Sequence, residues 1–202
     1  MTEMAMSGYP VALTATRPPS SSRFWAIPLI GFIVKEIILI PHLIVLYVLG
    51  LVVGVCQLVI WIPVLFGGQY PDWAYGLNAG YIRWFTRIGL FFLGLNDSYP
   101  AFAMEAPGDV YIAQPQSPSR FFAIPIIGAV VRWILLIPHF IVVYVLFIVV
   151  YVLQLIIWIW VLFGGQYPDW AFGLVAGTIL WLGRIYAYVF GLTDKYPPFS
   201  LS

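Results

Sequence analysis

FGGQYPDWA occupies Phe66–Ala74 and recurs unchanged at Phe163–Ala171, ninety-seven residues later. Each copy stands between two apolar runs. Its two glycines stop the helix in front of them, Tyr-Pro keeps the backbone extended, and Asp72 or Asp169 is placed to cap the helix that follows. The nonapeptide therefore reads as a hairpin turn between helices. The same shift aligns Arg23–Phe102 with Arg120–Phe199 without a gap, and more than half of the positions are identical. RFWAIPLIG answers RFFAIPIIG, IPHLIVLYVL answers IPHFIVVYVL, and GLNDSYPAF answers GLTDKYPPF. The chain is one unit written twice. It divides into an N-terminal segment (1–22), a first membrane repeat (23–102), a linker (103–119) and a second repeat (120–202).

Composition sets the solvent. Of 202 residues, 62% are hydrophobic and 8% charged, and mean hydropathy is +0.97. A soluble domain carries about 25% charged residues. With 9 tryptophans and 13 tyrosines, the chain is rich in the rings that collect at headgroup depth. These features identify a membrane protein. A net charge of +1 with no basic cluster excludes nucleic acid as a partner. Cys56 is the lone cysteine, a small apolar side chain inside an apolar run. The first twenty-two residues lack the charged start and long apolar core of a signal peptide, which leaves insertion to the spans themselves.

Each repeat opens with a short apolar piece, Pro28–Ile40 or Pro125–Ile137. A helix of that length rises about 20 Å, short of the ~30 Å hydrocarbon core, and reads as interfacial or re-entrant. Pro41–Phe66 and Pro138–Phe163 follow, long enough to cross with some tilt. Return helices are expected at Trp73–Leu95 and Trp170–Leu192. The expected fold class is all-α and integral to the membrane: two tandem helical hairpins, hence four transmembrane helices, each hairpin preceded by a short interfacial or re-entrant helix. All nine basic residues lie away from the two turns. The positive-inside rule then places both termini and the linker in the cytoplasm and both turns outside, with the two repeats parallel. Pro10–Ala15 and Asp109–Ala113 are β-prone and are expected to pair as a small sheet or to lie against a partner.

Few residues carry chemistry. His42 and His139 are the only histidines and match in position; such a pair suits haem or pigment ligation, or a ring hydrogen-bonded at the interface. No further donors give a metal-ligand spacing, and no cofactor is expected. Arg87 and Arg184 sit late in the return helices, ready to clamp lipid phosphate or to pair with Asp97 and Asp194. Arg83 lies about 16 Å into its helix, at a depth where a charge costs on the order of 2.5–3.5 kcal/mol, and has no counterpart in the second repeat. Gln57, Gln154 and Asn78 lie near mid-membrane, suited to interhelical hydrogen bonds. Gly76–Gly80 and Gly173–Gly177 each form G-x-x-x-G, which permits close backbone approach.

The runs Ile40–His42 and Ile137–His139, Leu65–Pro71 and Leu162–Pro168, Arg83–Trp84 with Arg87, Trp181 with Arg184, and the close Thr193–Phe199 together resemble a bacterial family of small membrane domains of unknown function. Leu180 stands where the pattern has its first arginine, and Asn96–Ser98 departs from the TD-K close. The resemblance implies a helical membrane fold. Some relatives carry a lipase label, but no G-x-S-x-G nucleophile turn occurs here. The expected function is a non-enzymatic scaffold or accessory subunit of the bacterial plasma membrane, packing against lipids and against other membrane subunits or itself. The alternative is a small transporter or channel using a polar or anionic-lipid site near Arg83.

Overall fold

A computed structural model describes residues 8–13, 17–107 and 110–202. Strand β1 (Val11–Ala12) comes first. Helix α1 (Ile30–Ile62) runs on through a π-turn at Pro63–Gly67, and α2 (Asp72–Phe92) returns. Strand β2 (Tyr111–Ile112), α3 (Ile127–Gly164) and α4 (Asp169–Val189) complete the chain. The strands pair antiparallel, Val11 with Ile112 and Ala12 with Tyr111, as the β-prone segments suggest; Thr14, Ala15 and Asp109 of those segments lie outside the described residues.

The expected short helices do not exist as separate elements. Each is fused to the long helix behind it, with Pro41 and Pro138 inside continuous α1 and α3. An interior proline removes a hydrogen bond and costs about 3 kcal/mol. Here the disturbed turn is given a donor from outside: the Tyr99 hydroxyl donates to the Ile38 carbonyl at 2.9 Å, and Tyr196 to Leu135 at 2.8 Å. The helices begin just after the other prolines, behind Leu29 and Ile126 at φ 62° and 64°, a left-handed conformation uncommon for such side chains. Gly31 and Gly128 follow because a Cβ there would lie 2.3 or 2.1 Å from the carbonyl oxygen of Trp25 or Phe122.

The turn reading holds in its glycines. Gly68 and Gly165 take φ 67° and 69° and end the long helices. The aspartates do not cap with their side chains. The N-caps are Pro71 and Pro168, and Asp72 and Asp169 sit in the first turn, where the helix dipole favours a negative charge.

Among the described residues three helical stretches, not four, are long and apolar enough to cross a membrane: Ile30–Gly67, Ile127–Gly164 and Asp169–Val189. α2 is not one of them, because Asn78, Arg83 and Arg87 interrupt its apolar sequence. Both α2 and α4 are buried on most sides, whereas α1 and α3 expose apolar residues along most of their length.

The two repeats are inverted rather than parallel. Partners descend α2 as they climb α4: Gly89 meets Ile179, Thr86 meets Gly183, and Tyr81 meets Tyr186 and Phe190. Thr86 and Gly183 occupy the same position in the two copies, so a pseudo-twofold axis passes between them. The antiparallel strand pair lies on one side of the α2–α4 layer. On the opposite side is a cavity of about 360 Å³ whose walls include Leu43, Phe85, Phe147 and Leu182, with α1 and α3 flanking it.

The linker does not stay at one end. It runs back along α2 from its last turn to its first. Arg87 donates to the carbonyls of Ala101 and Ala103, Arg83 bonds Glu105 at 2.5 Å, Tyr75 donates to Ile112, and Gln114 donates to Asp72. The N-terminal segment runs along α4 in the same way. Lys195 donates to Gly8, Arg184 to Val11, and Arg17 pairs with Asp169. The turns therefore lie against the N-terminal segment and the linker, not at a pole remote from them. Positive-inside counting misses this because it assigns a side to each loop and cannot register a loop that travels the length of a helix.

Candidate functional site

Two matching polar cavities lie where one repeat meets the other. The first gathers Ser21 and Ser22 of the N-terminal segment and Trp25, Lys35, Gly94 and Asp97 of repeat one with Gln154, Trp158, Val161 and Tyr167 of repeat two. The second gathers Ser119 of the linker and Phe122, Arg132, Gly191 and Asp194 of repeat two with Gln57, Trp61, Val64 and Tyr70 of repeat one. Almost every lining residue has its twin ninety-seven places away. Each cavity is small, about 20 Å³ in the first and 80 Å³ in the second, room for about one to a few waters.

Inversion assembles them. The start of α1 and the end of α2 supply a cation, a glycine and a carboxylate; the far end of α3 and its turn supply glutamine and tyrosine. In the first cavity Lys35 Nζ donates to the Phe91 carbonyl at 2.8 Å, and the Ser22 N–H donates to Asp97 at 2.6 Å. Gln154 Nε2 donates to Leu93 at 3.4 Å, while Gln154 Oε1 and the Tyr167 hydroxyl are buried without a partner. In the second, Arg132 donates to Tyr188 and Thr193 carbonyls and pairs with Asp194, whose other oxygen accepts from the Ser119 N–H. Tyr70 donates to Phe190 at 2.8 Å and accepts from Asn78. Gly94 and Gly191 adjoin these groups in the left-handed conformation, φ 78° and 73°, that closes each return helix.

Burial pushes the Tyr70 hydroxyl up to about 12, with the hydrogen bond from Asn78 and the Arg132 charge pulling the other way. Burial pushes Tyr167 up as well. Both phenols stay neutral donors at any ordinary pH.

The other candidates fall elsewhere. His42 and His139 sit in twin aromatic boxes. Trp84 Nε1 donates to His42 Nδ1 at 3.0 Å and Trp181 Nε1 to His139 Nδ1 at 2.9 Å. Phe102 and Phe199 stack on the rings at 3.7 and 4.0 Å. Both imidazoles are fully buried and neither lines the cavities above, so no open face is offered to a macrocycle. Arg87 and Arg184 are buried too and hold closing segments: Arg184 donates to the carbonyls of Ser200 and Ser202 as Arg87 does to those of Ala101 and Ala103. Asp194 pairs with Arg132 rather than Arg184. Arg83 is not alone; Glu105 of the linker and the Tyr75 hydroxyl partner it. Of the six lipid-contact or intramembrane candidates, Gln57 and Gln154 line the cavities, Asn78 bonds the cavity residue Tyr70, and Arg83, Arg87 and Arg184 hold the linker, the closing segments and the N-terminal segment. Asp72 and Asp169 bind Gln114 and Arg17. No cluster of three or more His, Cys, Asp or Glu suited to a metal occurs among the described residues.

Lys35, Arg132, Tyr70 and Tyr167 escape sequence reasoning as site residues because a lone cation on a short apolar piece suits the lipid surface and the tyrosine belongs to the turn. The signal was present: a cation, Asp, Gln and Tyr all recur at the repeat spacing.

A family model described as a domain of unknown function, DUF4389, matches residues 30–104 and again residues 127–200. The chain belongs to the DUF4389 family. Its internal repeat is thus two DUF4389 units, each running from the start of a long helix past the close of its return helix. The N-terminal segment and most of the linker fall outside both matches. No curated protein and no solved structure matches the chain.

Proposed function

We propose that this protein is a non-enzymatic membrane scaffold or accessory subunit of the bacterial plasma membrane, its termini and linker on the cytoplasmic side. The observation that carries the reading is the uncovered apolar surface of α1 and α3, from Ile33 and Ile37 to Leu58 and Phe66 and from Val130 to Phe163. Lipid acyl chains and apolar helices of partner subunits, or of a second copy, fit that surface. Inside, the buried cations are held by carbonyls and carboxylates of the same chain. A hydrolytic role finds little support: each histidine has one nitrogen bound to an indole and the other buried without a hydrogen-bond partner, whereas a general base needs its nucleophile within hydrogen-bond reach.

Purification in mild detergent after crosslinking in cells tests the proposal. Stoichiometric recovery of a membrane subunit, or of a homo-oligomer, is expected; a solitary monomer with no retained lipid overturns it.

A second reading is favoured by one observation, the pair of polar cavities at the interface of inverted repeats, an arrangement that transporters use for substrate. Solute flux into proteoliposomes that is lost in Tyr70→Phe and Gln57→Leu variants would replace the scaffold with a carrier.

A further inference from the structure

We infer that the molecule lies flat in one leaflet, with the pseudo-twofold axis along the membrane normal, α1 and α3 sunk in acyl chains, and the strand pair facing water. This rests on the membrane reading above and specifies its partner as a single phospholipid leaflet.

Three observations carry it. The first is the path of the linker. It follows α2 from the last turn to the first, a distance of about 30 Å, and its described residues include two strand residues and no helix. Were α2 upright, this open backbone would cross the hydrocarbon core, where every unsatisfied N–H and C=O costs several kcal/mol. The N-terminal segment along α4 would repeat the violation.

The second is charge. Arg83 lies midway along α2, and its partner Glu105 keeps 77% of its side-chain surface exposed. In an upright molecule that carboxylate would meet lipid near the bilayer centre. In a flat one it stands on the watery side. The third is length. The continuous helical stretch of 38 residues in α1, and its twin in α3, each extend about 57 Å, nearly twice the ~30 Å core. Laid in the plane, they need neither steep tilt nor protruding apolar ends. Their exposed side chains are aliphatic or aromatic apart from Glu36, with hydroxyls only on Tyr47, Tyr144 and Tyr151.

The flat arrangement puts both turns, the linker, the α2–α3 junction and the C-terminus on the same side. Single cysteines at Gln69, Asn96, Ser117 and Gln166, introduced in full-length Cys56→Ser protein, test this with an impermeant maleimide in sealed vesicles of each orientation. Labelling of all four in one orientation and its loss in the other is expected. Gln69 and Asn96 lie near opposite ends of α2, so labelling from opposite sides overturns the inference and leaves the membrane reading intact. Release of the protein by alkaline carbonate overturns both. Spin labels at Ile37, Val48 and Ile62, which share one exposed face of α1, give an independent readout. Equal immersion depth along α1 supports the flat arrangement, and a profile deepest at Val48 and shallow at both ends overturns it.

Discussion

Trp84 Nε1 donates to His42 Nδ1 at 3.0 Å, and Trp181 repeats the bond to His139 at 2.9 Å. An accepting Nδ1 fixes the neutral tautomer with its proton on Nε2. The bond also joins α1 to α2, and α3 to α4, at the turn just after each interior proline. Trp84→Phe keeps an aromatic ring but leaves Nδ1 buried without a donor, a loss of about 1–3 kcal/mol. Thermal unfolding in detergent should show the variant destabilised, with Trp181→Phe affected similarly. Imidazole nitrogen shifts in the unaltered protein should report Nε2–H at both sites. An Nδ1–H signature, or an unchanged melting temperature in both variants, would refute this account.

The pair Arg132–Asp194 and its counterpart around Lys35 make a second prediction possible. Arg132 is held by two carbonyls and a carboxylate, and its side chain is only 8% exposed. Removing one partner of such a pair costs on the order of 3–5 kcal/mol, because the other charge stays buried. Arg132→Leu should therefore be severely destabilised or fail to accumulate. Arg132→Lys should be far milder, since lysine is what the first repeat uses at the same position. Chemical denaturation of the two variants side by side decides the matter; equal losses would show that the site needs guanidinium geometry.

Alkaline pH should weaken the fold through buried tyrosines. The Tyr70 hydroxyl is pushed up to about 12 by burial, above the ordinary value near 10. Below the unfolded value both states hold the proton and stability does not change with pH. Between the two values the folded state keeps a proton that the unfolded state has lost, so stability falls as pH rises, by about 1.4 kcal/mol per pH unit for each such group. Tyr167 and Tyr9 shift in the same direction, again through burial. Unfolding free energy measured across this range should decline, and Tyr70→Phe should flatten the slope while lowering stability at neutral pH. A slope unchanged in that variant would remove Tyr70 from the account.

How much of this was legible follows from what each residue needs. The repeat and the hairpin turns were readable because Gly68, Gly165, Pro71 and Pro168 act locally, through φ and a missing N–H. The fusion of the short and long helices was not, because the turn disturbed by Pro41 draws a donor from Tyr99, fifty-eight residues away. Inversion was hidden for a related reason. It depends on the linker reaching the far end of α2 by way of Arg87, Arg83, Tyr75 and Asp72, and those contacts leave no periodic trace. The cavities inherit that difficulty, since Lys35 and Tyr167 line one cavity only once the repeats are inverted.

The G-x-x-x-G pairs permit close approach, but by extended chain rather than by a helix. A Cβ at Gly76 or Gly173 meets nothing within 4 Å. At Gly177 it would lie 2.4 Å from the Leu201 carbonyl oxygen and 2.6 Å from its Cβ, and at Gly80 it would lie 2.9 Å from the Met104 side chain. Backbone has little room to yield, whereas at Gly80 the thioether end of Met104 can rotate aside and only its Cβ stays in the way. Gly177→Ala should therefore cost about 1–3 kcal/mol, loosening the C-terminal segment from α4 and making it more sensitive to protease. Gly80→Ala should cost less, and Gly173→Ala should be neutral or slightly stabilising through helix propensity. Melting temperatures in the order Gly173→Ala, Gly80→Ala, Gly177→Ala, highest first, are expected. Gly173→Ala emerging as the most damaging of the three would point instead to a helix of another subunit seated on that face.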